Sequence, residues 1–96
     1  MLLTGIDVVA PAYANGFAVP AYNISDFGML TAVLDASEEV DAPVILLIHP
    51  DDWEFVGDRF FPSLFAMAAA SSVPVAIKLD HGATVDHKLI DRYFDV

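Results

Sequence analysis

No cysteine occurs in the 96 residues, so neither a disulfide framework nor a thiolate metal site is available. Basic residues are nearly as scarce. Four lysines and arginines stand against fourteen aspartates and glutamates, a formal net charge of -10. Such a surface argues against nucleic acid or an anionic membrane as a partner, and otherwise serves as a solvated exterior. No run approaches the roughly 20 apolar residues that a membrane span needs. No basic n-region opens the chain, which argues against a secretory signal and predicts a cytoplasmic protein. Internal repeats, linkers and low-complexity tracts are absent as well. What is present is apolar: 56% of the residues are hydrophobic, ample for the core of one small domain.

Taken in order, Thr4 is placed to cap a helix over Gly5–Asn15, with Asp7 in its first turn and Gly16 past its end. Pro11 inside it predicts a kink or a shortening. Phe17–Asn23 is apolar and β-prone, with Pro20 expected at the start of a strand or at a bulge. Ser25 is expected to cap a helix over about Asp26–Val40, with Phe27, Leu30, Val33 and Leu34 on its buried face. Five large aliphatics, Val44 to Ile48, predict a strand buried on both faces, hence a parallel sheet between helices. Trp53–Phe61 reads as a loop or helical turn, and Pro62 as the first residue of a helix through about Ser71. A third strand spans Val75–Leu79, Thr84 caps a last helix through about Arg92, and Phe94–Val96 opens a further strand.

A helix followed by three strand–helix units means an α/β fold with a parallel sheet. Three such strands make a poor sheet, because unpaired edges invite aggregation. A complete TIM (β/α)8 barrel takes about 250 residues. The expectation is therefore the N-terminal part of a single barrel, residues 1–96, ending before the fourth strand.

Each strand ends in polar side chains: Asn23, then His49, then Asp80-His81. In α/β folds that edge of the sheet is where chemistry is placed. A carboxylate beside an imidazole at the tip of an oily strand suggests a site. The plainer reading is turn chemistry, with Asp80 capping the next helix. Adjacent residues on a regular strand point to opposite faces. Asp80 and His81 therefore share a site only if the backbone turns there, which Gly82 permits.

Three stretches together carry a resemblance. Phe17-Ala18-Val19-Pro20-Ala21-Tyr22-Asn23-Ile24, Ala42-Pro43-Val44-Ile45-Leu46 and Val73–Ala83 resemble, in order and spacing, the first three strands of the class II, zinc-dependent ketose-bisphosphate aldolases. The resemblance implies the barrel fold and a reversible aldol cleavage. Fructose- or tagatose-1,6-bisphosphate would give dihydroxyacetone phosphate and glyceraldehyde 3-phosphate. It implies His81 as the first zinc ligand, Asp80 as the residue exchanging a proton with the substrate's C4 oxygen, Asn23 as a hydrogen-bond partner of the substrate, and a homo-oligomer when full length.

The chain also departs from the family. Lys78 stands where the family has His, on the face of Asp80. It is expected to be buried, to pair with a carboxylate, and to lower the Asp80 pKa. His49-Pro50-Asp51-Asp52 replaces a Ser or Thr followed by Pro-Gly, which makes His49 a candidate substrate contact, against plain loop polarity. Tyr93 replaces a common Gly, and His87 reads as a solvent-facing helix residue. The remaining zinc histidines and the glycine-rich phosphate loops find no counterpart here, so residues 1–96 alone are expected to be inactive. Two other readings compete: a truncated, non-catalytic chain that associates through its open sheet edge with itself or a partner, and a metal-free lyase using Lys78 as a Schiff-base nucleophile.

Overall fold

The structure, a computed structural model, describes residues 1–81 and 91. The expected last helix from Thr84, the strand opening at Phe94–Val96, and the positions of Gly82, His87 and Tyr93 lie outside the described residues. Within them the order is α1 (Gly5–Asn15), β1 (Ala21–Asn23), α2 (Phe27–Glu39), β2 (Val44–Ile48), α3 (Pro50–Val56), α4 (Phe60–Ala70) and β3 (Val75–Leu79). The strands form one parallel sheet in the order β1-β2-β3.

The first helix follows from its ends. The Thr4 side chain accepts a hydrogen bond from the Asp7 N–H, and Gly16 closes the helix in the left-handed conformation at φ 71°. Pro11 does not shorten it: the helix runs through to Asn15. A proline removes its own N–H donor, here one bond near the middle of three turns, and sets its ring against the carbonyl four residues back, yet the helix continues past it. Pro20 sits just before β1, where its lack of an N–H costs no ladder bond and its carbonyl accepts from the Ile45 N–H at 2.9 Å.

The second helix starts one residue later than expected. Asp26, not Ser25, is the cap, accepting the Met29 N–H at 2.7 Å. Both residue types cap well, and the Ser25 hydroxyl instead contacts the Met29 sulfur at 3.2 Å. The buried stripe is Leu30, Leu34 and Ser37, with Val33 half-buried and Phe27 exposed at the helix start. The stretch after β2 is more ordered than a loop. His49 caps α3, Pro50 occupies its first turn, and Asp51 and Asp52 meet its positive end. The following helix begins at Phe60, so Pro62 falls inside the first turn, where its missing donor is still harmless.

Along β2, Val44, Leu46 and Ile48 are fully buried while Ile45 and Leu47 are only half-buried. Burial is thus complete on one face alone among the described residues. That face packs with Ile24, Leu30, Leu34, Trp53, Phe61, Leu64, Ala68 and Val75 into one core beneath α2 and α4. The pairing register puts Asn23, Leu47 and Lys78 side by side on the opposite face. Lys78 is exposed there, not buried.

One tie was not foreseen. Leu2 forms a parallel bridge with Val75, the Leu3 N–H donates to the Val75 carbonyl and the Val75 N–H to the Met1 carbonyl, each at 2.8 Å. The Met1 ammonium donates to the Ser71 and Val73 carbonyls, where α4 ends and its dipole is negative.

Candidate active site

The four sequence-predicted site residues meet at the carboxyl end of the sheet. Asn23 is the last residue of β1, His49 follows β2, and Asp80 and His81 follow β3. The ladder holds this edge in place beyond the strands themselves: the Ile24 N–H donates to the Leu47 carbonyl and the Asp80 N–H to the Ile48 carbonyl, each at 2.9 Å.

Asn23 Nδ2 donates to Asp80 Oδ2 at 3.1 Å, joining the two outer strands across the end of β2. The backbone then turns at His81, which adopts the left-handed conformation at φ 55°, a rare state for a residue bearing a Cβ. The turn brings His81 Nε2 to 3.9 Å from Asp80 Oδ2. Adjacent residues thus reach one site by the turn that the sequence requires, with His81 itself taking the positive φ. The His49 ring lies edge-on to that of His81, with centroids 5.2 Å apart and planes at 67°. His49 Nδ1 accepts the Asp51 N–H at 3.1 Å, which ties the ring to the start of α3. Its capping role was not read from the sequence, although a proline and two aspartates directly after it signal a helix start.

The Asp80 side chain is 24% exposed, enough to reach a bound molecule. The Asn23 hydrogen bond holds its carboxyl below the ordinary aspartate value, helped by the positive potential of His81 and His49 and opposed by desolvation. Lys78 is not among the causes, so the expected tuning by that residue gives way to a neutral amide donor. Asp80 is accordingly a carboxylate throughout the neutral range. Because its pKa is depressed on folding, the stability it contributes is present above the ordinary aspartate value and is lost as pH falls through the lowered one. Asn23→Ala is expected to move the Asp80 pKa upward. A 13C NMR titration of the Asp80 carboxyl checks this, and an unmoved midpoint would refute the assignment of the cause.

No group of three or more metal-binding side chains forms among the described residues. His81 supplies an imidazole donor of the kind zinc takes, with a carboxylate and a second imidazole beside it. This donor chemistry is of the kind that zinc accepts.

The description "Fructose-bisphosphate aldolase class-II" matches residues 4–94. The chain belongs to that family. It is 35% identical over 89 residues to a fructose-bisphosphate aldolase of Thermus caldophilus, covering 93% of this chain and 29% of the relative. Among solved structures, the YdjI aldolase from Escherichia coli K12 superposes with a TM-score of 0.89 at 26% identity, covering 99% of this chain and 37% of that one. The chain therefore spans about a third of the length of the aldolases it matches, and the α/β arrangement of its parallel sheet is theirs.

Proposed function

We propose that this chain is the N-terminal part of one class II aldolase barrel, and that the complete protein cleaves fructose- or tagatose-1,6-bisphosphate reversibly, with zinc as cofactor. The observation that carries the reading is the Asn23–Asp80 hydrogen bond at the carboxyl end of the sheet, in a chain that belongs to the aldolase family. A closed barrel would also cover the half-open face bearing Ile45, Leu47 and Lys78. It would bring a helix over the 320 Å³ groove that Tyr22, Val33 and Val40 line on the outer side of β1.

In cleavage, Asp80 takes the proton of the C4 hydroxyl. The O–H electron pair becomes the aldehyde C=O, and the C3–C4 pair passes to the three-carbon ketose fragment as its enediolate. Condensation returns the proton from Asp80 to the same oxygen. Asn23 orients the Asp80 carboxylate and, through its remaining polar atoms, the substrate. His49, at the mouth beside His81, is a substrate contact. His81 is the zinc ligand in this segment, and zinc when bound polarises the substrate carbonyl.

The test is an aldol-cleavage assay on the full-length protein. Activity is expected with either bisphosphate, lost on treatment with a chelator and restored by zinc. Residues 1–96 alone are expected to give none, since they carry one zinc imidazole and no phosphate loop. Cleavage by full-length protein that persists after complete metal removal would overturn the zinc assignment.

A further inference from the structure

We infer that Lys78 is a substrate-binding residue whose ammonium pairs with an anionic oxygen of the sugar bisphosphate inside the barrel. The inference rests on the aldolase reading above, and it gives this ammonium a task other than nucleophile or partner of Asp80.

The register places the residue. Val44, Leu46, Ile48 and Val75 lie on the sheet face that packs beneath α2 and α4. A barrel keeps its helices outside, so the opposite face, with Asn23, Leu47 and Lys78 abreast, is the one it turns inward. Asp80 shares that face, as its hydrogen bond to Asn23 shows. Lys78 stands two residues before it, roughly 7 Å deeper along the strand. Below Lys78 the face is closed: Ala76 is buried, and α1 packs against β3. Above it is the edge where Asn23, His49, Asp80 and His81 meet. Lys78 is exposed between the two, and its four-carbon stem gives the ammonium reach toward that edge.

A cation turned into a barrel needs an anion, because an unpaired charge taken out of water is costly. Asp80 makes its contacts with Asn23 and His81 instead, and Lys78 enters no ion pair among the described residues. The substrate of the proposed reaction brings two phosphate groups, and its cleavage develops an enediolate oxygen. In a chain with only four basic residues, one of them interrupts an aliphatic strand on the face of the proton acceptor. Three rotatable N–H donors on a compact charge suit an anionic oxygen there.

Two substitutions test this in the full-length protein. Lys78→Met keeps an unbranched stem and removes the charge. It is expected to raise KM for the bisphosphate by about 10- to 100-fold, the usual worth of a hydrogen bond to a charged group. Zinc content and the denaturation midpoint of the substrate-free protein should stay at wild-type levels. Lys78→Arg restores the charge, cannot form an imine, and is expected to recover most of the lost affinity. The proposal is overturned if Lys78→Met leaves KM within about two-fold of wild type, or if Lys78→Arg is as impaired as Lys78→Met. It is equally overturned if Lys78→Met lowers the denaturation midpoint without substrate, because the ammonium would then already be paired with a carboxylate of the barrel. Wild-type protein that cleaves neither bisphosphate would refute the aldolase reading, and this inference with it.

Discussion

Asp80→Asn in the full-length protein is expected to lower kcat for bisphosphate cleavage by about 10²- to 10⁴-fold, the usual worth of a positioned proton acceptor. The substitution preserves shape, keeps an oxygen that can accept from Asn23, and removes the negative charge together with the capacity to take up a proton. The backbone at Asp80 is pinned by its N–H to the Ile48 carbonyl, so the side chain of the variant starts from the same place. Zinc content is expected to stay at the wild-type level, because the proposed ligand in this segment is His81. A loss in kcat with zinc retained and KM little changed is the pattern of a group that acts in the transition state. Activity within a few-fold of wild type would remove Asp80 from the mechanism.

The same residue shows how two local forces oppose each other. The Asn23 amide lowers the Asp80 pKa, which guarantees the ionised form but weakens it as a base. Desolvation raises it, and a closed barrel would add more of that. A proton acceptor works best when its pKa lies near the working pH. In the proposed barrel, the surroundings beyond residue 81 would bring Asp80 back toward that range.

Much of this was legible in the sequence because the responsible forces are local. Aliphatic runs bounded by proline and polar residues marked β2 and β3 to the residue, and Thr4 with Gly16 marked both ends of α1. The misreadings fall where two local solutions are close in energy. Ser25 and Asp26 are both good caps, and Phe27, the first residue of α2, lies exposed at the helix end although Leu30 and Leu34 are buried on the expected face. His49-Pro50-Asp51-Asp52 carried a helix start that histidine, an uncommon cap, disguised. The Asn23–Asp80 contact was not legible at all. It depends on the sheet order β1-β2-β3 and on a register that pairs Asn23 with Leu47 and Leu47 with Lys78. Neither is written in any one segment.

Phe61→Ala is expected to be the most destabilising single change in this segment, at about 3–5 kcal/mol. Phe61 is fully buried and sits in the middle of an aromatic cluster. Its ring meets Trp53 at 4.7 Å and 61°, Phe60 at 6.4 Å and 75°, and Phe65 at 6.4 Å. Trp53 cannot swing into the hole cheaply, because its indole N–H is held by Asp58 Oδ1 at 2.7 Å. The cavity therefore persists, and its cost adds to the lost transfer energy. Phe61→Leu keeps most of the apolar volume and should cost clearly less. The cluster joins α3 to α4, and α3 begins at His49. Denaturant unfolding of the full-length protein measures the cost. Equal costs for Ala and Leu at position 61 would show that the site collapses around the smaller residue, and that the aromatic cluster is not the rigid corner described here.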